Sequence, residues 1–161
     1  MEITRVFIHG LESSSAGTKG LFFSKRYPGM IVEDYPGAFG KRMAKLENLL
    51  AGKDNLIIVG SSYGGLMAAV FACRHQHRLN KLILLAPALN LEEFSLCRAL
   101  RIQLPVTVIH GTGDTVVPLA EVRSIAEDVF LNLAYQIVDD DHSLHRTFPL
   151  MDWNELLHFS Q

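Results

Sequence analysis

Only two cysteines, Cys73 and Cys97, occur in the 161 residues. That is too few for the disulfide frameworks that stabilise small secreted domains, and it suits a reducing compartment such as the cytoplasm. An excess of one charge is also missing. The 15 Lys and Arg against 17 Asp and Glu leave a formal net charge of −2, which removes the electrostatic reason to expect nucleic acid or an anionic membrane surface as partner. No apolar run reaches the roughly 20 residues needed to span a bilayer. The opening MEITRVFIHG carries Glu2 and enters apolar alternation at once, unlike the basic start and long apolar segment of a secretory leader. Internal repeats, charge blocks and low-complexity linkers are absent too, so no domain boundary is expected and residues 1–161 read as a single domain. The expected partner is a small molecule, and no cofactor or metal is called for.

What is present is an apolar content of 48%, distributed in alternating patterns. Six short apolar runs read as strands: Ile3 to Ile8, Met30 to Glu33, Leu56 to Val59, Lys81 to Leu85, Val106 to Ile109 and Ala134 to Val138. Helix-like segments lie between them, at about Ser15 to Arg26, Phe39 to Leu50, Leu66 to His77, Leu91 to Leu100 and Leu119 to Phe130, with a last one from Ser143 to His158 broken by Pro149. Strand and helix in alternation predict an α/β fold, a three-layer sandwich around a six-stranded parallel sheet. The third and fourth runs are apolar without alternation, as expected of strands covered by helices on both faces. In a parallel sheet every strand delivers its following loop to one edge, and that edge is where function is expected.

At that edge stands GSSYGG, Gly60 to Gly65, between an apolar strand and a helix. Ser62 is centred in a Gly-x-Ser-x-Gly frame, the pattern of a nucleophile elbow, in which a serine tops a sharp turn and the glycines allow strand and helix backbones to crowd. A glycine-rich loop that cradles a phosphate at a helix N-terminus has the same local form. The other strand ends favour the first reading. A serine hydroxyl needs an imidazole as base and a carboxylate to orient it; Asp114 follows the fifth strand and His142 the sixth, in the chain order Ser, Asp, His. With strand order 2-1-3-4-5-6, the fifth and sixth strands lie roughly 10 and 14 Å from the third, at about 4.8 Å per step. The four residues from His110 to Asp114, and the four from Val138 to His142, each reach up to about 13 Å. Backbone amides of Leu11, after the first strand, and of Tyr63, after the serine, are placed to receive an oxyanion.

Through FIHG at Phe7 to Gly10, GSSYGG, IHGTGDTVVP at Ile109 to Pro118 and DDDHS at Asp139 to Ser143, the chain resembles the α/β-hydrolase superfamily, and most of all its small, cap-free bacterial esterases of the YqiA type, in which HG and a serine-containing loop such as HGLESSS open the protein. The resemblance implies Ser62 as nucleophile, Asp114 as acid, His142 as base, and hydrolysis of carboxylic esters or thioesters. It also implies a minimal fold, because the two leading strands of larger members are absent. The lid of larger relatives falls between the fourth and fifth strands, where this chain has only Ala86 to Leu104: room for one helix. Leu89, Leu91 and Phe94 of that segment are candidates to line an acyl groove, or simply to bury the helix against the sheet.

Several residues carry competing readings. Asp114 in GTGD is also a good turn residue. His145 competes with His142 as base, and Asp140, His142 and His145 together hold metal-ligand types, although no other His or Cys cluster completes such a set. His9 is expected to shape the oxyanion turn rather than act as a base. At the level of function, a thioesterase or peptidase on the same triad and a non-catalytic flavodoxin-like ligand-binding module are the alternatives to an esterase.

Overall fold

The alternation resolves into six strands: β1 (Thr4–Ile8), β2 (Ile31–Val32), β3 (Leu56–Ser61), β4 (Leu79–Leu85), β5 (Val106–Gly111) and β6 (Leu133–Val138). Four helices connect them, α1 (Thr18–Arg26), α2 (Phe39–Leu49), α3 (Tyr63–His75) and α4 (Leu119–Val129), and a short α5 (Trp153–Leu156) ends the fold. A computed structural model describes residues 2–159. The strands form one sheet in the order β2-β1-β3-β4-β5-β6, and every pairing is parallel. That is the order under which the loop reaches permit the three residues to meet.

Strand alternation sorts the core into two layers. Val6, Ile8, Leu56, Ile58, Leu82, Leu84, Val106 and Val108 face α2, α3 and α4, whose Leu46, Leu66, Phe71 and Val122 complete that layer. Phe7, Ile57, Val59, Ile83, Leu85 and Ile109 face the other way, against Phe23 of α1 and the C-terminal residues Phe148, Trp153 and Leu157. Leu56 through Val59 are fully buried, which is why that run shows no polar alternation. α3 is buried on nearly every face, from Gly64 through Ala72. The helix behind the serine is thus enclosed by the protein and has little freedom to shift.

Two segments differ from the periodicity. The link between β4 and β5 is a 3-10 stretch, Glu92–Ala99, rather than an α-helix. A 3-10 stretch repeats every three residues, so Phe94 and Cys97 share the buried side while Leu96 is 88% exposed. The segment predicted as a helix from Ser143 is instead a turn, a 3-10 turn at Phe148–Leu150, and then α5. Leu144 takes φ of 55°, which interrupts right-handed helix, and the buried Asp140 carboxylate accepts the amides of Arg146 (3.1 Å) and Thr147 (2.7 Å). Aromatic packing then seats this segment. Phe148 meets Phe22 edge-on at 5.1 Å and Phe23 at 5.6 Å, and the Trp153 ring meets Phe23 at 4.9 Å.

Glycine is required at a few positions. A Cβ on Gly60 would sit 2.8 Å from Gly65 Cα, and one on Gly64 would sit 2.6 Å from the Ile8 carbonyl carbon; both are backbone contacts that no side chain rotation relieves. Gly60→Ala is therefore expected to destabilise the protein by about 3 kcal/mol, read as a lower urea midpoint at unchanged m-value. A midpoint equal to wild type would show that the elbow relaxes freely.

Burial pushes the Asp140 carboxyl up, but the amides of Thr147, Asp141 and Arg146 outweigh it and bring the group down to about 2. A carboxyl depressed on folding stabilises the native state above its unfolded value, and that stability is lost as pH falls through the folded value. Wild type should accordingly lose stability between about pH 4 and pH 2. Asp140→Asn should be weaker at neutral pH and flatter across that acid window; an unchanged acid limb in its urea midpoints would exclude this role.

Candidate active site

The elbow is built from the ends of β3 and α3. Ser62 sits between them with φ of 56° and ψ of −113°, a left-handed conformation that costs a non-glycine residue about 1–3 kcal/mol and persists only when its surroundings enforce it. Here they do. The Ser62 amide donates to the Leu85 carbonyl of β4 at 2.9 Å, and the Ser62 carbonyl accepts from Leu66 of α3 and from Ala88, both at 3.1 Å. The backbone is tied on both sides of the turn, so the hydroxyl is held off the end of the sheet.

His142 reaches that hydroxyl. Its Nε2 lies 3.0 Å from Ser62 Oγ, and its Nδ1 lies 2.7 Å from Asp114 Oδ2. Because a carboxylate only accepts, Nδ1 carries the proton and Nε2 is free to accept from the hydroxyl. The three residues singled out in the sequence, from loops after β3, β5 and β6, thus form one hydrogen-bonded line. The last two loops hold each other: Gly113 donates to the Asp140 carbonyl at 2.9 Å and Thr112 to the Val138 carbonyl at 2.8 Å. A Cβ on Gly111 would lie 2.8 Å from the Asp140 carbonyl carbon and would force them apart. Lys19 of α1 donates to the Ser143 carbonyl at 2.7 Å, beside His142. His145 instead bonds Asp141 through Nδ1 at 2.6 Å on the surface.

The environment of Asp114 holds two residues that periodicity does not reveal. Oδ1 accepts the amides of Val116 and Val117, each at 2.8 Å, while Oδ2 accepts from both His142 and, at 3.1 Å, Nε2 of His110. His110 is fully buried on β5, and its Nδ1 lies 2.7 Å from the Tyr135 hydroxyl of β6. Burial pulls the His110 imidazole below its usual range and outweighs the attraction of Asp114, so the ring is neutral: it donates through Nε2 and accepts the Tyr135 O–H at Nδ1. Burial pushes the Asp114 carboxyl up, and the bonds from His142 and the amides of Val117 and Val116 more than offset it, holding the carboxyl below the usual carboxylate range. The acid stays ionised. The signal available in the sequence was the His110 of IHGTGD, four residues before the aspartate; no pattern pointed to Tyr135.

On the other side of Ser62, the loop after β1 lies close because Gly64 has no side chain to hold it off. Among the described residues, the amides of Leu11 and Tyr63 donate within none of the turns and loops, whereas those of Ser13 and Ser62 do. Both border the same groove as Ser62 and His142. His9 is 3% exposed and uses both ring nitrogens on backbone: Nε2 accepts the Tyr35 amide at 2.9 Å and Nδ1 donates to the Gly10 carbonyl at 2.6 Å. It is committed to the shape of the loop.

The groove has a volume of about 710 Å³ and apolar walls that include Phe22, Phe148, Leu144 and Val117. Leu91 borders it. Leu89 and Phe94, expected beside Leu91 as groove residues, instead lie at zero exposure in the layer around α3, with Phe94 against Phe130 at 6.5 Å. The 3-10 stretch turns Phe94 inward, whereas Leu89 lies in the turn that precedes it. Among the described residues no helix is long and apolar enough to cross a membrane.

Comparison with known proteins agrees with the architecture. A family model described as alpha/beta hydrolase fold matches residues 24–98. No curated protein matches the chain in sequence. Among solved structures, a monoacylglycerol lipase from Paleococcus ferrophilus is 14% identical with a TM-score of 0.76, over 95% of this chain and 93% of that one. An esterase from Pyrococcus furiosus is 19% identical with a TM-score of 0.71, over 96% and 81%. Est1E from Butyrivibrio proteoclasticus, solved with ferulic acid bound, is 15% identical with a TM-score of 0.70, over 92% and 84%. At such identities the likeness is one of fold. With only a 3-10 stretch where a lid would stand, the chain is a small, cap-free protein of the α/β-hydrolase fold.

Proposed function

We propose that this protein is a serine hydrolase that cleaves carboxylic esters or thioesters through an acyl-enzyme intermediate on Ser62. The observation that carries the reading is the line Ser62 Oγ, His142, Asp114, joined at 3.0 and 2.7 Å from loops far apart in the chain. In the forward step Ser62 Oγ attacks the acyl carbon while His142 Nε2 takes its proton, and ionised Asp114 stabilises the imidazolium that forms. The oxygen that becomes negative is received by the amides of Leu11 and Tyr63; one such donor contributes about 3 kcal/mol. His142 then protonates the departing alcohol or thiol, and a water activated by the same imidazole releases the acid and restores Ser62. No cofactor enters these steps.

The apolar walls of the groove suit the acyl portion of a substrate, and without a cap it stays open to solvent. The esterase and lipase among the solved structures of this fold, and the carboxylic acid held by a third, support the ester class. Choice between ester and thioester depends on leaving-group chemistry, which p-nitrophenyl esters of increasing acyl length and acyl-CoA thioesters separate directly. Two free cysteines, Cys73 and Cys97, support a reducing cytoplasm as the protein's proposed setting.

A fluorophosphonate probe should label the intact protein, since only an activated serine reacts, and Ser62→Ala should abolish both labelling and hydrolysis, with a loss of at least about 10³ in kcat. Label that persists in Ser62→Ala would reject the nucleophile; no label on wild type would favour a ligand-binding module.

His142→Ala removes the group that takes the Ser62 proton, so kcat should fall by at least about 10³ with KM little changed. A variant that keeps wild-type kcat would remove His142 from the role of base.

A further inference from the structure

Arg42 of α2 is 5% exposed, yet no carboxylate pairs with it among the described residues. Burying a cation without a counter-ion is unfavourable, so its other contacts matter. Nε donates to the Gly37 carbonyl at 2.7 Å and Nη2 to the Leu11 carbonyl at 3.3 Å. The guanidinium carbon stands 5.3 Å from the centre of the Tyr63 ring, a cation–π distance. Nη1 is buried with no hydrogen-bond partner in the protein. Beyond Gly37, the two residues this one side chain touches in these contacts are Leu11 and Tyr63, which come from different loops and flank Ser62.

We infer that Arg42 is a positioning residue for the oxyanion site, holding the Leu11 turn by its carbonyl and backing Tyr63 by its ring, so that their two amides keep a common aim. The inference rests on the assignment of those amides made under Proposed function. Fixing the Leu11 carbonyl limits rotation of the chain on the far side of its amide, and a donor aimed in advance is worth more than one that must reorganise during the reaction. A fixed positive charge, itself buried behind the two donors, also favours the anionic intermediate over the neutral ester. Arginine suits the task better than lysine, because a planar fork reaches two carbonyls and an aromatic face together. The absence of a carboxylate partner fits as well, since an acid beside Arg42 would cancel the field.

The test compares wild type, Arg42→Lys and Arg42→Ala in hydrolysis of p-nitrophenyl butyrate and in inhibition by phenylboronic acid, whose serine adduct is tetrahedral and anionic. Loss of aim at two donors should lower kcat about 10- to 100-fold, leave KM within about twofold, and weaken boronate inhibition by a factor similar to the kcat loss. Free guanidinium ion, well below denaturing concentration, should recover part of the Arg42→Ala loss. Because Arg42→Ala empties a buried site and is at risk of unfolding, thermal melting accompanies each variant, and Arg42→Lys, which keeps the charge and the stem, decides if Ala does not fold. A folded variant with wild-type kcat and boronate affinity overturns the inference, as does a kcat loss without a matching loss of boronate affinity. If wild type neither hydrolyses the ester nor binds the boronate, the serine-hydrolase reading itself fails and takes the inference with it, a result distinct from an active wild type with indifferent variants.

Discussion

At Gly64 the first turn of α3 presses against the carbonyls of Ile8 and His9, and an added Cβ there would lie 2.6 Å from the Ile8 carbonyl carbon. Much of the site depends on this one close approach. It sets the depth at which α3 meets the end of β1. It also brings the loop after β1, with Leu11, alongside the serine. A side chain at Gly64 would separate nucleophile from loop even with every polar residue unchanged. The strain in Ser62, at φ of 56°, is held by the same packing, because α3 is buried along most of its length and cannot drift to relieve it.

The polar groups behind the reacting atoms are buried, and each is oriented by another. Asp114 accepts four hydrogen bonds, two from amides and two from imidazoles. His110, one of the two imidazoles, is in turn met by the Tyr135 hydroxyl. A fully satisfied buried network is stiff, because any member that rotates leaves a partner unpaired in a medium where that is unfavourable. Such stiffness suits an acid whose task is to keep one tautomer and one orientation of His142. Arg42 stands in the opposite situation on the other side of Ser62: buried, unpaired by acid, and bound to carbonyls and a ring.

The base loop is anchored differently again. After His142 the chain turns through Leu144 in a left-handed conformation, and the Asp140 carboxylate accepts the amides that follow. Phe148 and Trp153 then lock the segment onto Phe22 and Phe23 of α1. The same aromatic cluster that completes the second core layer supplies Phe22 and Phe148 to the groove wall. Core packing and the shape of the groove are one arrangement here.

Strand and helix alternation, the parallel sheet and the positions of Ser62, Asp114 and His142 at strand ends were determined by sequence alone, because those features follow from local periodicity and from a tight turn that tolerates only glycine at its crowded positions. The relevant order is local, and so it is written locally. Tertiary structure decided what depends on contacts between distant segments. The link between β4 and β5 reads as amphipathic helix, yet packing against α3 took Leu89 and Phe94 into the core and left Leu91 at the groove. Helical pattern after Ser143 yielded to the Asp140 carboxylate and to Pro149. Tyr135 and Arg42 are unremarked in sequence because neither has a local signature of its partner; only the placing of β6 beside β5 and of α2 against α3 sets them beside His110, Leu11 and Tyr63.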